Sequence, residues 1–366
     1  MTGLSVPRDL HDVSPAWLTD ALRAGGALGD ASVTAFICEP INEGKGFISQ
    51  VARLRLDYDD DSIDSPRSVL LKLPSTAPDL QMLADRLGHG RREVHFYKEV
   101  AGSGLLNAPL SYHCDVDDST GCTVLLLEWL IDARQGDSVA GCTREEAYRS
   151  IVRMARFHAH WWNSPLLDSL GWMPRKDDEA DTYRELYAEA WSLFLALAGD
   201  FMPDGIRRIG DRLAEDLPRI KAMLSRPPRT VIHGDFRLDN CFFREEDGSI
   251  EPIVFDWEFC ARGRGAYDVA TFLSEALTPE QRRAEEMDLL QAYHDALLGG
   301  GATGYSFEEC LRDYRLSMLE VLVFWIVTGG FCDFGGERAT EYLRGSLAKF
   351  DAAISDLASV ELLDVV

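Results

Sequence analysis

A chain of 366 residues is longer than one compact core of ordinary size, so the sequence predicts two structural units. Its composition, with 46% hydrophobic and 27% charged residues, is typical of a soluble globular protein. The formal net charge of −24 excludes nucleic acid and an anionic membrane surface as main partners, because both repel an acidic protein.

The cysteines and the N-terminal residues predict the compartment. The eight cysteines are scattered and form no Cys-x-x-Cys pair, which argues against a zinc ribbon or a thioredoxin-like redox site. Residues Met1–Ser14 lack the basic and apolar regions of a signal peptide. The apolar segment Met318–Phe331 contains Glu320 and is shorter than the roughly 20 residues of a membrane span. We therefore expect a cytoplasmic protein with free thiols and no membrane partner.

The N-terminal part begins with a well-bounded helix and then becomes rich in strands. Ser14 is the predicted N-cap, Pro15 fits the first turn, and Gly25-Gly26 ends the helix. A second helix is predicted over Arg86–Val100, and alternation of apolar and polar residues predicts strands around it. The predicted strands are Val33–Cys38, Val51–Tyr58, Ser68–Leu73 and Thr123–Trp129.

The C-terminal part is predicted to be mainly helical. Capping-box patterns begin at Thr143, Thr278 and Ser306, each just before an apolar periodic segment. The predicted helices cover residues 143–163, 181–198, 206–225, 278–299, 306–328 and 337–357. One short β unit lies among them, made of Thr230–Ile232, Cys241–Phe243 and Ile253–Trp257.

The stretch TVIHGDFRLDNCFF, Thr230–Phe243, concentrates polar groups just after an apolar strand. Asp235 and Asn240 lie five residues apart on a non-helical segment, and Asp256 ends the next apolar strand. Phosphoryl transfer needs a carboxylate that accepts the proton of the attacking hydroxyl, oxygen ligands for Mg²⁺, and a cation on the nucleotide phosphates. The spacing of these residues therefore predicts a phosphoryl-transfer site.

This arrangement resembles the catalytic loop of the aminoglycoside phosphotransferase and choline kinase superfamily, which has a protein-kinase-like fold. The resemblance extends over roughly residues 30–350, and its strongest likeness is to the CHK-kinase-like, ecdysteroid-kinase-like group of small-molecule kinases. The segments that carry it are Gly44–Ser49, Leu125–Trp129, Gly136-Asp137, Phe157–Trp162 and Ala266–Ala270.

The resemblance implies an α+β, two-lobed fold with the substrate bound between the lobes. Residues 1–130 would form a sheet-rich, nucleotide-binding lobe, and residues 131–366 a larger, mainly helical lobe for catalysis and substrate binding.

The resemblance also implies roles for individual residues. Asp235 corresponds to the catalytic base, and Asn240 and Asp256 correspond to the Mg²⁺ ligands that bridge the phosphates of ATP. Lys72 lies in mid-strand where the family places its phosphate-binding lysine, and Glu93 is its expected ion-pair partner because a lone buried ammonium is costly.

Other site residues are expected to act mainly through their backbone or as structural supports. Glu128 to Leu130 correspond to the hinge that meets the adenine. Asp268 corresponds to the aspartate that ties the catalytic loop in place, and His233 is expected to hold the loop backbone rather than to bind zinc.

Two features depart from the protein-kinase pattern. The turn around Gly44, Gly46 and Ser49 is not GxGxxG, although its backbone N–H groups and the Ser49 hydroxyl are expected to contact the phosphates. No Ala-Pro-Glu activation segment is present, which favours a small-molecule substrate over a protein.

Polar residues elsewhere have alternative interpretations. His158 and His160 project about 200° apart on a helix, so core packing beside Trp161 and Trp162 explains them better than a shared metal. Glu320 and Asp333 are candidate substrate ligands, since a carboxylate on an apolar helix either lines a pocket or lies on the wet edge.

We expect an ATP- and Mg²⁺-dependent kinase that phosphorylates a small-molecule hydroxyl, with a fairly apolar secondary alcohol as the favoured acceptor. The alternative acceptors are an aminoglycoside or a choline-type alcohol, which would suit the acidic composition. A non-catalytic nucleotide-binding protein and a hydrolase using His233 and Asp235 are the alternatives of other classes. Four intact residues, Lys72, Asp235, Asn240 and Asp256, argue against the non-catalytic protein, and the lack of a nucleophile elbow argues against the hydrolase.

Overall fold

The computed structural model describes residues 4–41, 49–60, 64–104, 106–331 and 337–364. The chain divides into two compact units. The first contains Met1–Ser103 and Ala108–Asp132, and the second contains Gly104–Asn107 and Ala133–Val366.

The first unit is built on a five-stranded antiparallel sheet with the strand order β1-β2-β3-β5-β4. Its strands are β1 Val33–Pro40, β2 Ser49–Tyr58, β3 Ser68–Pro74, β4 Ser111–Val116 and β5 Thr123–Glu128. Its helices are α1 Pro15–Ala24, α2 Pro78–Leu87 and α3 His89–Glu99.

Helix α1 and one face of the sheet form the core of this unit. In β2 the alternate residues Ala52, Leu54 and Leu56 are buried, as the period of two in the sequence predicts. Ser14 caps α1 by accepting a hydrogen bond from the N–H of Trp17. Gly25 must be glycine, because a Cβ atom there would lie 1.8 Å from the carbonyl oxygen of Tyr112.

The predicted helix over Arg86–Val100 is wrong in its extent. The structure has two helices there, because Gly88 adopts a left-handed conformation with φ of 67° and ends α2. Strand β4 is a further element that the sequence pattern did not predict.

The second unit is mainly helical, and its small sheets carry the segment around Asp235. Its helices are α4 Arg144–Trp161, α5 Ala180–Ala198, α6 Asp204–Leu224, α7 Ala266–Ala276, α8 Pro279–Gly299, α9 Phe307–Phe331 and α10 Glu337–Asp356. Its strands are β6 Ala133–Gln135, β7 Thr230–Ile232, β8 Cys241–Glu246, β9 Ser249–Val254 and β10 Ala261–Gly263.

The short strands form two small antiparallel sheets, β10-β7 and β6-β8-β9. The predicted strand Ile253–Trp257 ends earlier, at Val254, because Asp256 has a φ of 69° that a strand cannot accommodate. Strands β6 and β10 were missed because three residues are too few to show a period of two.

Helix α9 forms the centre of the helical unit. Among the described residues it is the one helix long and apolar enough to cross a membrane, and 78% of its apolar stretch is buried inside the protein. Its continuous length of 25 residues exceeds the predicted apolar segment, and its burial is that of a core helix.

The capping boxes predicted at Thr143 and Thr278 are both present. Thr143 accepts the N–H of Glu146 through its hydroxyl at 3.2 Å, and the Glu146 carboxylate accepts the N–H of Thr143 at 2.8 Å. These bonds satisfy donors that the first turn of a helix leaves without a partner.

Thr143→Ala should therefore lower the free energy of unfolding by about 1 kcal/mol, because the Glu146 N–H loses its acceptor. Urea unfolding would measure this, with Thr143→Ser as the matched control that keeps the hydroxyl. Equal losses in the two variants would contradict a capping role for the hydroxyl.

Candidate active site

The segment His233–Asn240 leaves strand β7 and ends in a short 3₁₀ turn, and we call it the catalytic loop. Within it the Asn240 amide nitrogen donates to both the carbonyl oxygen of Asp235, at 2.9 Å, and its Oδ2, at 3.0 Å. The five-residue spacing noted in the sequence therefore brings the two side chains together. Because the Asn240 nitrogen points to Asp235, its amide oxygen is the atom left to meet a cation.

The carboxylate of Asp235 has two unlike oxygens. Oδ2 accepts hydrogen bonds from Asn240 and from Nε of Arg237, the latter at 3.1 Å. Oδ1 is buried and has no hydrogen-bond partner among the residues that the structure describes. A buried acceptor without a partner is costly, so it calls for a donor from outside the chain.

The environment of Asp235 changes its acidity in opposing directions. Burial raises the pKa of this carboxyl above its ordinary value, and the nearby Asp256 carboxylate adds to the rise. The Arg237 guanidinium opposes the rise by favouring the ionised form. The carboxylate is thus a stronger proton acceptor than an exposed aspartate.

Asp268, near the start of α7, holds the catalytic loop by its backbone. Its Oδ2 accepts the N–H of His233 at 2.7 Å, and its Oδ1 accepts the N–H of Gly234 at 3.0 Å. Nε2 of His158 lies 3.1 Å from Oδ2, and Nδ1 of His158 lies 2.9 Å from the hydroxyl of Tyr293. All of these groups are buried, so the bonds are shielded from competing water.

The role of His158 is more than the apolar core packing expected for it. The side chain is fully buried, as expected, but its ring bridges α4 to the residue that anchors the catalytic loop. This contact could not be predicted, because Asp268 is far from His158 along the chain.

His233 connects the catalytic loop to the segment that follows β9. Its Nδ1 accepts the N–H of Asp235 at 3.1 Å, and its Nε2 lies 3.0 Å from the carbonyl oxygen of Phe255. These bonds fit a neutral ring with the proton on Nε2. Gly234, with φ of 87°, allows the tight turn, since a Cβ atom there would lie 2.2 Å from the carbonyl oxygen of Phe259.

Asp256 lies next to the catalytic loop in an unusual backbone conformation. The N–H of Phe255 donates to the carbonyl oxygen of Asn240 at 3.1 Å, and Asp256 follows with φ of 69°. Glu258, which is buried, places a carboxylate oxygen within 4.8 Å of one from Asp256. The oxygens of Asn240, Asp256 and Glu258 are hard donors of the kind that suit Mg²⁺.

In the first unit, Lys72 of β3 and Glu93 of α3 form a buried ion pair. Nζ of Lys72 lies 2.6 Å from Oε2 of Glu93, and the two residues are 4% and 0% exposed. Pairing offsets the cost of removing both charges from water and fixes the position of the ammonium.

The remaining candidates in the first unit occupy one strand start and one strand end. Ser49 begins β2, and Glu128 ends β5, where its N–H donates to the carbonyl oxygen of Leu110 at 2.8 Å. Leu130 is buried just beyond it. Gly44 and Gly46 lie outside the described residues, as does Asp333 in the second unit.

Glu320 has a different environment from the one expected of a substrate ligand. Its side chain is 2% exposed on α9, and its Oε1 lies 2.7 Å from Nζ of both Lys176 and Lys221. Burial would raise the pKa of Glu320, but the two ammonium groups lower it overall. Each lysine also lies 3.9 Å above a tyrosine ring, Lys176 on Tyr267 and Lys221 on Tyr183. The pairing of Oε1 favours a structural role for Glu320, while its buried Oε2 has no partner among the described residues, and the substrate role stays a prediction.

The sequence-family comparison decides the classification. The model of the phosphotransferase enzyme family (APH) matches residues 57–305, which is more than half of the chain. The chain belongs to the phosphotransferase enzyme family. The prediction of the aminoglycoside phosphotransferase and choline kinase superfamily is thereby confirmed, and with it an enzyme that transfers a phosphoryl group to an alcohol. No curated protein matches the sequence of this phosphotransferase.

Solved structures agree on the fold. A provisionally named aminoglycoside phosphotransferase from Ralstonia eutropha is similar with a TM-score of 0.54 and 14% identity, over 93% of this chain and 98% of that one. A choline kinase from Cryptosporidium parvum is similar with a TM-score of 0.54 and 12% identity, over 89% of this chain and 91% of that one. An ethanolamine kinase from Plasmodium vivax is similar with a TM-score of 0.52 and 13% identity, over 90% of this chain and 85% of that one. The predicted kinase-like α+β fold, sheet-rich first and more helical later, is confirmed.

Replacing Glu320 by alanine should lower the free energy of unfolding of the phosphotransferase by about 3–5 kcal/mol, because two buried ammonium groups lose their carboxylate. Denaturant unfolding would measure this. Glu308→Ala, on the exposed surface of the same helix, is the matched control. An unchanged stability together with a raised KM for the acceptor would instead support a substrate-binding role for Glu320.

Proposed function

We propose that this phosphotransferase moves the γ-phosphoryl group of ATP to the hydroxyl of a small molecule, with Asp235 as the catalytic base. The observation that carries the proposal is the buried Oδ1 of Asp235, which lacks a partner among the described residues while Oδ2 is held by Asn240 and Arg237. A substrate hydroxyl is a donor of the right kind for that oxygen.

The proposed reaction is a single in-line displacement. The hydroxyl donates its proton to Oδ1 of Asp235, and its oxygen forms a bond to the γ-phosphorus. The bond from that phosphorus to the bridging oxygen breaks, and ADP leaves with the electron pair. Positioning and charge compensation supply most of the rate in such a transfer.

Asn240 and Asp256 would hold Mg²⁺ through their side-chain oxygens, and Glu258 is close enough to Asp256 to support them. When bound, Mg²⁺ neutralises charge on the phosphate oxygens. The positive φ of Asp256 supports this role, because strained backbone is retained mainly where function requires it.

The first unit is proposed to bind ATP. Lys72, fixed by Glu93, would contact the phosphates, and the turn with Gly44, Gly46 and Ser49 would add backbone donors. The backbone from Glu128 to Leu130 would meet the adenine. Support comes from the buried ion pair, because Glu93 holds the Lys72 ammonium in one position.

A fairly apolar secondary alcohol is our proposed acceptor, on the strength of the sequence likeness to the CHK-kinase-like group. A cationic alcohol is the second candidate, because the net charge of −24 favours cations and two of the similar structures are choline and ethanolamine kinases. We place the reaction in the cytoplasm. The seven cysteines among the described residues are free thiols, which suits a reducing compartment.

Asp235→Asn should reduce kcat by at least about a thousandfold, because the amide cannot accept the hydroxyl proton, while Mg-ATP binding stays intact. The assay follows ADP release with choline, ethanolamine, kanamycin, erythromycin and cholesterol as acceptors, and a thermal shift reports Mg-ATP binding.

Asp247→Asn is the matched control, since it makes the same charge change in an exposed turn. Full turnover by Asp235→Asn would overturn the proposed base. Mg-ATP binding by the wild type without turnover on any acceptor would instead favour a non-catalytic nucleotide-binding protein.

A further inference from the structure

A chain of hydrogen bonds leads from buried Glu275 at the end of α7 to the carboxylate of Asp235. Glu275 is 1% exposed and accepts two side-chain donors. Nε1 of Trp325 donates to its Oε1 at 2.8 Å, and the hydroxyl of Tyr342 donates to its Oε2 at 3.0 Å. The ionised carboxylate is thus held on both oxygens by α9 and α10.

The direction of these bonds determines how Tyr342 meets the catalytic loop. Its only proton is given to Glu275, so its oxygen can act only as an acceptor toward other groups. Nη1 of Arg237 lies 3.4 Å from that oxygen and 3.0 Å from Oδ2 of Asp239. Nε of Arg237 in turn donates to Oδ2 of Asp235. The guanidinium is therefore held at two of its nitrogens by three side chains, those of Asp235, Asp239 and Tyr342.

We propose that Glu275 and Tyr342 are positioning residues for phosphoryl transfer, which fix Arg237 against Oδ2 of Asp235 so that Oδ1 stays turned toward the acceptor hydroxyl. This inference rests on the proposed function of Asp235. Neither Glu275 nor Tyr342 touches the reacting atoms, and both act through Arg237.

Arg237 needs such support because a long side chain loses much rotational freedom when it is fixed. Its side chain is 24% exposed, so water competes for its donors. A planar guanidinium that is held at both Nε and Nη1 has a fixed orientation and cannot swing away from Asp235. Loss of the Tyr342 contact leaves Asp239 as the partner of Nη1, so the Arg237 guanidinium is held less firmly against Asp235.

The Glu275 carboxyl gives this chain of bonds a pH dependence. The pKa of the Glu275 carboxyl is raised to about 7, mainly by burial. Within that value the Arg237 charge acts to lower the pKa, and the Asp235 and Asp239 charges act to raise it. Lys349 of α10 faces the same residue and donates to its carbonyl oxygen at 2.6 Å. Below pH 7 the Glu275 carboxyl takes up a proton. This proton competes with the hydroxyl proton of Tyr342 for the carboxylate oxygen. The wild-type kcat should therefore fall as the pH decreases through about 7.

The test compares two changes in this chain of bonds with two matched controls. Glu275→Gln keeps the shape of the side chain, but its NH₂ group would face a donor, either Nε1 of Trp325 or the hydroxyl of Tyr342. Tyr342→Phe removes the hydroxyl alone. The controls come from a second buried cluster, in which Glu286 accepts the hydroxyl of Tyr314 at 2.7 Å and Nη1 of Arg282 at 2.8 Å. Arg282 bonds there to Asp356 instead of a catalytic-loop residue.

Glu275→Gln and Tyr342→Phe should each lower kcat at pH 8 by about tenfold to a hundredfold, as a misplaced catalytic group does, with KM for ATP changed less than about twofold. Glu275→Gln should also flatten the fall of kcat below pH 7. Glu286→Gln and Tyr314→Phe should lower only thermal stability. If Glu275→Gln does not fold, the Tyr342→Phe comparison decides alone.

Two further outcomes are distinguishable. The assay uses Mg-ATP with choline, ethanolamine, kanamycin, erythromycin and cholesterol. If the wild type phosphorylates an acceptor and both variants match their controls in kcat and in pH profile, the positioning role is overturned and the proposed function stands. If the wild type phosphorylates none of them, the proposed function falls and the positioning role falls with it.

Discussion

The carboxylate of Asp268 is the constraint on which the active-site geometry depends. Its two oxygens accept the backbone N–H groups of His233 and Gly234, and His158 supports it from α4. Backbone donors that are buried must find acceptors, and here one side chain on a rigid helix supplies both. Asp268 therefore fixes the catalytic loop through its backbone rather than through the side chains proposed to perform the chemistry. Oδ1 of Asp235 and the amide oxygen of Asn240 are left for the proposed chemistry, because other atoms hold the loop.

The polar side chains of the loop also divide their atoms between different partners. His233 uses both ring nitrogens for the backbone, one within the loop and one toward Phe255, so the position of Asp256 follows from that of Asp235. Asn240 uses its nitrogen on Asp235, which leaves its oxygen for the proposed Mg²⁺. Arg237 takes the second oxygen of Asp235 and is braced by Asp239. Asp235 and Asn240 thus each use one polar atom within the loop and leave another for the proposed reaction, which is how a preorganised site avoids rearrangement during catalysis.

Local signals predicted much of the fold and the centre of the site. The N-cap at Ser14, the capping box at Thr143 and the alternation in β2 depend on neighbours a few residues away, so a single sequence contains them. The Asp235 and Asn240 pair is local for the same reason. The links from His158, Glu275 and Tyr342 to the catalytic loop could not be predicted, because they run between distant helices and no periodic pattern marks such contacts. The partners of Glu320 could not be predicted for a related reason: its lysines come from other segments, and only the folded chain brings them together.

Amide hydrogen exchange across Thr230–Phe243, in the wild type and in Asp268→Asn, tests most directly whether Asp268 fixes the catalytic loop. An asparagine at this position keeps one acceptor oxygen but presents an N–H group to a second backbone donor. The account predicts faster exchange at His233 and Gly234 in the variant, while the amides of α7 and α9 keep their protection. Unchanged exchange at these two amides would contradict it, because the loop would then be fixed by something other than the Asp268 carboxylate.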